Sequence, residues 1–395
     1  MYSLPAPDGP DPFPAYDRLR RQGPQRDTDG GAWLLTRFAD VRQALQAPQL
    51  RIRPAAVPGA PWLGDGPAAA LFRNHVRMSD GDAHRVRRSR MAAALERLSP
   101  AEELAAAAAV ETDLRLDRLA GAAGLEAMSA LAFPVPLSVV AHWLGLAAGD
   151  AERAATLAGR FAPALLPWSA AAQLADAQHA AADLTDLLSE QVRRGSLPFF
   201  QALTEAGGPL RPLDTAEAVA AAAGLLAQAC DATAGLLGKT LALLLRDPAL
   251  AARVRSAGTV DPDLLDEVLR FDPPNHSTRR VAAAPVTIGG AAIRPGDDVV
   301  LILAAAGRDA RVHVDPGRFE PDRFAVARRL DAAAPRHLVF GAGPHACPGE
   351  AVARAIVAGA AAAVLRHRRG LSLRDRDMDW RPSGNARIPA CLWLA

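Results

Sequence analysis

Apolar residues recur at helical spacing along most of the chain, and this pattern predicts a mainly helical protein. Proline and charged residues open several of these segments, and glycine or proline closes them. The predicted helices cover residues 11–22, 39–48, 82–119, 137–146, 151–166, 170–194, 214–246 and 261–272. The third of these segments is interrupted near Ser99 and Pro100, so it predicts two helices.

Strand-like patterns are few and short. The segment "AWLLTRF" and the tail "IPACLWLA" each predict one strand, and "APVTIGGAAIRPGDDVVLIL" predicts a small β unit with Gly and Pro turns. The segment "RDARVHVDPGRFEPDRF" has little periodicity and is predicted to be an ordered loop. The expected fold class is mainly α with small β-sheets, in a single domain over residues 1–395, because no repeat or long linker divides the chain.

The predicted helix at residues 214–246 is long and apolar, yet its middle reads "QACDATAG". At about 1.5 Å per residue, such a helix crosses a whole domain. Polar residues in an apolar helix are costly unless they face a cavity, a ligand or water. The sequence therefore predicts that this helix borders a cavity near its middle.

Composition excludes several functional classes. The net charge of +2 over 395 residues indicates neither a nucleic-acid-binding surface nor an acidic tail. The N-terminus shows no apolar leader, and the longest apolar run, Ala218 to Ala227, is too short for a membrane anchor. Three widely spaced cysteines form no disulfide framework, so a cytoplasmic location is expected.

One cysteine stands in an unusual local sequence, "FGAGPHACPGEAVAR", which runs from Phe340 to Arg354. A sulfur just before a helix faces unpaired N–H groups and the positive end of the helix dipole, and both favour the thiolate. From the residues alone, Cys347 is a thiolate nucleophile, a metal ligand or a buried structural cysteine. A zinc site formed with His337 and His345 is a further alternative, although the spacing matches no standard zinc motif.

The segment "FGAGPHACPG" resembles the heme-ligand loop of the cytochrome P450 family, F-G-x-G-x-H-x-C-x-G, at every specified position. The resemblance implies the cytochrome P450 fold, with heme b between the long central helix and the cysteine loop. It also implies that Cys347 is the thiolate ligand of the iron, with Phe340, His345 and Gly349 as further cofactor-binding positions. Thiolate ligation favours cleavage of the O–O bond.

Other motifs of that family occur in the same order along the chain. "DAHRVRRSR" is similar to its H-x-x-x-R helix, which implies that His84 and Arg88 bind heme propionates; the alternative is a solvated basic face. Arg280 matches a third propionate partner, with Arg279 as the alternative one residue away. "EVLR" and "RFEPDRF" match a structural triad; an ordinary surface ion pair is the alternative for its first two members. The triad residues are Glu267, Arg270 and Arg323.

The long helix departs from the family pattern [AG]-G-x-[DE]-T. Asp231 retains the acid, but Ala232 replaces the threonine, whose hydroxyl steadies dioxygen and proton-delivering waters in the family. Thr233 lies about 100° further around the helix and is not expected to substitute for it. Either the substrate supplies the missing group, or the reaction is an oxidative coupling that needs less proton delivery, or the oxygenase is weak or inactive. Asp231, Ala232 and Thr233 are the candidate catalytic positions.

Substrate contacts are predicted on two polar segments, "PPNHST" and "PSGNAR". The candidate residues are Asn275, His276, Ser277 and Asn385, and the segments Ala55–Arg77 and Phe161–Gln173 are expected to form the lid. These residues favour a polar substrate that forms hydrogen bonds.

The resemblance implies a monooxygenase or an oxidative coupling enzyme that acts on a small specialised metabolite. It also implies electrons from a ferredoxin and its reductase, which would dock on arginines of "RVRRSR" and on Arg354. The alternatives are a non-catalytic helper protein with the same fold and a peroxide-driven peroxygenase. The intact cysteine loop argues against the helper protein.

Overall fold

A computed structural model gives the architecture of the chain. It describes residues 6–28, 31–53, 59–119, 124–206, 210–331, 335–367, 371–374 and 378–395. Within them the helices are α1 (Phe13–Gln22), α2 (Phe38–Gln46), α3 (Pro67–Asn74), α4 (Gly81–Glu96), α5 (Ala101–Arg118), α6 (Pro134–Trp143), α7 (Ala148–Phe161), α8 (Ala171–Arg194), α9 (Pro198–Thr204), α10 (Thr215–Arg246), α11 (Pro248–Ala257), α12 (Pro262–Phe271), α13 (Leu303–Gly307), α14 (Arg323–Leu330) and α15 (Glu350–His367).

The strands are short and lie in small sheets. They are β1 (Gln25–Arg26), β2 (Trp33–Leu35), β3 (Leu50–Arg51), β4 (Leu125–Glu126), β5 (Ser277–Ala282), β6 (Val286–Ile288), β7 (Ala291–Ile293), β8 (Asp298–Ile302) and β9 (Trp393–Leu394). The largest sheet has the order β1-β2-β8-β5-β3, in which β2 and β8 are parallel and the other neighbours are antiparallel. The pairs β4–β9 and β6–β7 are separate antiparallel ribbons.

Helix α10 forms the centre of the molecule, where it packs against α3, α6, α8 and α15. Asp214 caps its start by accepting a hydrogen bond from the Glu217 N–H at 2.8 Å, and the Glu217 carboxylate accepts one from the Asp214 N–H at 3.2 Å. Helix α10 is long and apolar enough to cross a membrane, but 72% of its most apolar 18-residue stretch is buried inside the molecule. Burial on nearly all sides explains why this helix lacks a polar face.

Most predicted helices are present, and the predicted mainly α fold with small sheets is confirmed. The boundaries differ where proline or long-range pairing decides them. Helix α6 begins at Pro134 rather than at residue 137, because proline is tolerated in a first helical turn. Helix α15 begins at Glu350, two residues after Pro348. The predicted C-terminal strand is reduced to Trp393–Leu394, because its partner β4 has only two residues.

Candidate active site

A cleft lies between α10, α4 and the loop that carries Cys347, and it holds about 430 Å³ of empty space that is partly open to solvent. Its lining residues come from the turn before α4, from α4 itself, from α10 and from the cysteine loop. They are Val76, Arg77, His84, Arg88, Met91, Ala220, Ala221, Gly224, Leu225, Gln228, His345, Ala346 and Pro348. Of the segment "QACDATAG", which predicted a cavity beside the long helix, Gln228 is the member among these lining residues.

The cysteine loop is shaped by glycines and closed by a backbone hydrogen bond. Gly341 and Gly343 have φ of 75° and 70°, in the left-handed region that favours glycine. The Cys347 N–H donates to the Phe340 carbonyl at 2.7 Å, so the loop folds back on itself before α15. Cys347 is exposed, and its two chain neighbours, Ala346 and Pro348, line the cleft.

The expectation that the start of α15 would lower the pKa of the thiol is wrong for the protein alone. Although the residue is exposed at the surface, desolvation by the protein atoms around its sulfur raises the pKa of Cys347, and the Glu350 charge raises it further. A hydrogen bond from the Gly349 N–H and the Arg88 charge lower this pKa, but they do not outweigh the desolvation. The thiolate therefore depends on a positively charged partner for its stability, such as a metal ion.

The predicted propionate-binding residues lie at the cleft. The rings of His84 and His345 are in contact, with 4.0 Å between their centroids and an angle of 33° between their planes, and His345 Nε2 is 3.2 Å from Asp80 Oδ1. Burial and the neighbouring His345 lower the pKa of His84 to about 4, so its imidazole is neutral at neutral pH. No carboxylate among the described residues pairs with Arg88, which leaves its guanidinium available to an anion in the cleft.

Strand β5 decides between the two arginines considered for the third propionate partner. Arg279 is exposed and forms an ion pair with Asp298 at 3.1 Å. Arg280 is buried, and its guanidinium interacts electrostatically with Asp80. Adjacent residues on a strand point to opposite faces, so only one of them can face the interior. The structure places Arg280 on the inner side.

Helix α10 contributes five residues to the cleft lining, of which Gln228 is exposed and Leu225 partly exposed, whereas Ala220, Ala221 and Gly224 are buried. Gln228 is exposed, and Ala229 and Ala232 are partly exposed, one turn apart on the same face. The Gln228 amide donates to the Gly224 carbonyl at 2.8 Å. Asp231 instead forms an ion pair with Arg381 at 3.1 Å, and Thr233 is buried. Of the three candidate catalytic positions, Asp231 and Ala232 are partly exposed and Thr233 is buried, and none of them is among the residues that line the cleft.

Comparison with known proteins agrees with this geometry. A family model described as "Cytochrome P450" matches residues 262–378. The chain is 30% identical over 360 residues to cytochrome P450 107B1 of Saccharopolyspora erythraea, and the alignment covers 86% of this chain and 83% of that relative. The chain belongs to the cytochrome P450 family.

Other relatives are matched over part of their length. Cytochrome P450 140 of Mycobacterium tuberculosis is 31% identical over 259 residues, and the alignment covers 61% of this chain but 55% of that relative. The solved structure of P450BioI with an acyl carrier protein ligated to hexadec-9Z-enoic acid has a TM-score of 0.82 and 22% identity, and the match covers 98% of this chain and 97% of that one. That likeness shows that the chain has the P450 fold.

As in the family pattern, Glu267, Arg270 and Arg323 meet in the structure. Arg270 donates to Glu267 at 2.6 and 2.8 Å, and Arg323 Nε lies 3.0 and 3.1 Å from the same carboxylate. Arg270 also donates to the carbonyls of Gly307, Pro316 and Arg318. Because Glu267 and Arg270 have no exposed surface, the alternative of an ordinary surface ion pair is wrong.

One predicted substrate contact is contradicted by the structure. His276 is fully buried, with Nδ1 3.2 Å from the Tyr16 hydroxyl and Nε2 3.1 Å from Asp272. Both ring nitrogens are therefore engaged within the protein, by Tyr16 of α1 and by Asp272 at the end of α12. The prediction that His276 contacts substrate is wrong.

The other three predicted contacts are partly exposed, and the structure brings their segments together. Asn275 pairs with Ala386 in an isolated bridge, and the Asn385 carbonyl accepts from the Ser277 N–H at 3.3 Å. The two polar segments thus form one wall, although none of these residues borders the cleft described above. Their contact with substrate stays a prediction.

The predicted lid segments also meet. The Trp62 indole N–H donates to the Ala164 carbonyl at 3.1 Å, which joins the two segments across the chain. Residues 54–58, which include the start of the first segment, lie outside the described residues.

The predicted basic docking surface is wrong, because most of its arginines serve internal contacts. Arg87 binds Glu217 at 3.0 Å, and Arg90 is buried and donates to the Arg211 carbonyl at 3.0 Å. Arg354 pairs with Glu350 and with the buried Asp266. Arg85 remains exposed and forms an ion pair with Asp82.

Sequence reasoning gave no individual role to three polar residues at or beside the cleft: Arg77 and His75, which lie in the predicted lid segment, and Gln228 of the segment "QACDATAG". It also missed Asp266, whose carboxylate binds His337 Nε2 at 3.0 Å and Arg336 at 3.3 Å. That contact fixes the segment leading into the cysteine loop. For the residues at the cleft, the sequence offered one signal: Gln228 occupies the position at which the family pattern has Ala or Gly.

The residues at the cleft fit a heme. Two imidazoles and the guanidinium of Arg88 line one opening, beside the loop that carries the Cys347 thiol, and the guanidinium has no carboxylate partner among the described residues. Such a donor set suits an iron porphyrin with acidic propionates. The alternative zinc site is not supported, because the described residues contain no group of three metal-binding side chains.

Proposed function

We propose that the chain is a heme-thiolate oxidoreductase, either a monooxygenase or an oxidative coupling enzyme. It acts on a small specialised metabolite with dioxygen and with electrons from a ferredoxin and its reductase. The observation that carries this proposal is the exposed Cys347 between two residues that line a cleft beneath α10. A cytoplasmic location belongs to the same proposal.

The residues that would hold heme b are Cys347 as the iron ligand and His84, Arg88, Arg280 and His345 at the propionates. Phe340 closes the ligand loop through its carbonyl, and Gly349 directs its N–H to the Cys347 sulfur. When bound, a heme iron with a thiolate ligand supplies the cleavage of the O–O bond of dioxygen. The Gly349 N–H and the Arg88 charge stabilise the sulfur anion.

Proton handling at the distal face differs from the family pattern. Ala232 has no group that holds or passes a proton, and Thr233 is buried. Gln228 presents an amide one turn earlier on the exposed face of α10. The carboxylate of Asp231 is paired with the half-exposed Arg381, so this pair connects the helix to solvent. The groups left to handle protons at this face are therefore Gln228, the Asp231–Arg381 pair and the substrate itself.

Replacement of the ligand tests the proposal. Wild-type protein supplemented with heme should give the thiolate-type carbon monoxide spectrum after reduction, and Cys347→Ser should lose it, because a serine hydroxyl is a poor ligand in place of a thiolate. Cys391→Ser is the matched control and should keep the spectrum. A wild type that binds no heme, or a Cys347→Ser variant that keeps the thiolate-type spectrum, would contradict the proposal.

The electron source is tested on the same preparation. Turnover with a ferredoxin, its reductase and dioxygen should exceed turnover with hydrogen peroxide alone. Equal rates would favour the peroxygenase. Spectral binding of ligands without any turnover would favour the helper protein.

A further inference from the structure

Asp80 is a partly buried carboxylate beside the cleft, at the residue just before α4. In this N-cap position an aspartate ordinarily accepts a hydrogen bond from a backbone N–H of the first helical turn. In the described part of the chain, the Asp80 side chain makes no such bond. The carboxylate is therefore used for something other than the start of its own helix.

Both oxygens of the Asp80 carboxylate contact elements far away in the chain. Oδ1 lies 3.2 Å from His345 Nε2 in the cysteine loop, and Oδ2 accepts from the Ile52 N–H, just after β3, at 3.1 Å. Desolvation raises the pKa of Asp80, but the hydrogen bonds from His345 and Ile52 outweigh it and lower this pKa below its usual value. Asp80 is therefore ionised at neutral pH, and His345 Nε2 is the donor in their contact.

Asp80 interacts with three of the four side chains assigned above to the heme propionates. It binds His345 directly, and the His345 ring is in contact with that of His84. Desolvation lowers the pKa of His84 and of Arg280, and in both cases the negative charge of Asp80 opposes this effect. One carboxylate thus acts on groups from α4, from β5 and from the cysteine loop.

We infer that Asp80 is a positioning residue of the heme site, which fixes the His345 ring against α4 and keeps a permanent negative charge at the propionate end of the cleft. A hydrogen bond to one ring nitrogen of a histidine sets its tautomer and orientation. The other nitrogen, His345 Nδ1, has no partner among the described residues and is left for a ligand in the cleft. The inference rests on the proposed function and adds to it a residue outside the motifs matched above.

The charge of Asp80 has a consequence for the iron. A fixed negative charge near the heme favours ferric over ferrous iron, because reduction adds another negative charge to the site. The Asp80 side chain is 16% exposed, so solvent and salt screen its charge only in part. Asp82, two residues later, is 91% exposed and pairs with Arg85, so its charge is screened far more.

The charge is tested on heme-loaded protein with Asp80→Asn, which keeps the size of the side chain and removes its charge. In a dye-coupled reductive titration, the ferrous-to-ferric ratio at a fixed solution potential should rise about threefold or more. That change corresponds to about 30 mV, at about 59 mV per tenfold. A role limited to packing predicts no such shift. Asp82→Asn is the matched control and should leave the ratio unchanged.

Asp80→Glu and Asp80→Gln form a second pair, equal to each other in shape and different in charge. They measure the charge even where Asp80→Asn folds poorly, and the Gln variant should show the higher ferrous-to-ferric ratio. Equal ratios in wild type and Asp80→Asn, equal ratios within the Glu and Gln pair, or an equal shift in Asp82→Asn would overturn the inference. The titration is made on protein with the thiolate-type carbon monoxide spectrum, and a wild type without that spectrum contradicts the proposed function instead.

Transfer of heme to apomyoglobin tests the positioning of the ring. Asp80→Ala leaves His345 Nε2 without its acceptor and should lose heme about threefold faster or more than Asp82→Ala. Equal rates of heme loss in these two variants would show that Asp80 does not fix the His345 ring.

Discussion

At the scale of single residues, the polar groups at the distal face have moved relative to the family pattern. Position 232 carries a methyl group, whereas Gln228 presents an amide one turn away. A hydroxyl can both donate and accept, but an alanine can do neither. Proton handling in this cleft therefore depends on Gln228, on the Asp231–Arg381 pair or on the substrate.

Restoring the hydroxyl tests that dependence. In Ala232→Thr, we expect the product formed per electron consumed to rise severalfold, because a hydroxyl on the exposed face can position a water and pass a proton. The measurement is product yield against reduced nicotinamide consumed. Thr233→Val, at the buried neighbouring position, is the control and should leave coupling unchanged. Unchanged coupling in Ala232→Thr would show that the substrate or Gln228 already fills this role.

At the scale of elements, the loop that carries Cys347 leads directly into one of two helices that are in close contact. Helix α15, which follows Cys347, packs along α5. At Gly359 the two backbones approach so closely that a Cβ would lie 2.7 Å from the carbonyl carbon of Ala105 and closer still to its oxygen. Because backbone cannot move aside as a flexible side chain can, this glycine sets the spacing of the two helices.

The substitution Gly359→Ala should therefore lower the free energy of unfolding by about 1–3 kcal/mol or more, the usual cost of overpacking. Gly149→Ala is a matched control in α7, where a Cβ meets nothing within 4 Å. There the free energy of unfolding should stay the same or rise slightly, since alanine favours helix. Urea denaturation measures both variants. Equal stability of Gly359→Ala and wild type would show that α5 and α15 separate freely.

At the scale of the whole molecule, buried ionic networks connect distant parts of the chain. The carboxylate of Asp272, at the end of α12, binds Lys239 of α10 at 2.9 Å and His276 of the following segment at 3.1 Å. Tyr16 extends this network to α1 through its hydroxyl. Removing one partner from such a network leaves a buried charge uncompensated, which is strongly destabilising.

Several buried histidines make stability depend on pH. Burial lowers the pKa of His75 to about 3, of His276 to about 4 and of His313 to about 3, whereas the ordinary value is about 6.5. Between about pH 6.5 and pH 4 the unfolded chain binds protons that the native state does not, so the free energy of unfolding should fall as pH falls. Carboxylates with a lowered pKa, such as Asp272, change the free energy of unfolding only below about pH 4, where they are protonated in the unfolded chain.

Urea midpoints at about pH 7 and about pH 5 measure this slope. His313→Phe should give a shallower slope, because one of the protonating groups is gone and the site already lies between Phe38 and Phe324. A midpoint that is independent of pH across this interval would contradict the prediction.

Much of the fold was predictable because its signals are local. Helical periodicity found most of the helices, and capping residues and prolines placed many of their ends. Helices α3, α9, α11, α13 and α14 were missed, because segments this short carry too little periodicity to be distinguished from loop. The cysteine loop was recognisable because its glycines, its histidine and Cys347 are fixed in one short segment.

Taken alone, the sequence determined the cysteine loop, the helical frame and the unusual residues in the middle of α10. Only the tertiary structure decided that Arg280 faces inward and Arg279 outward, and that His276 is buried against Tyr16. It also brought the His75 ring and the Gln228 amide into close contact at Gly224. The direction of a side chain, and the groups it meets, depend on how elements far apart in the chain pack together. Local patterns do not contain that information.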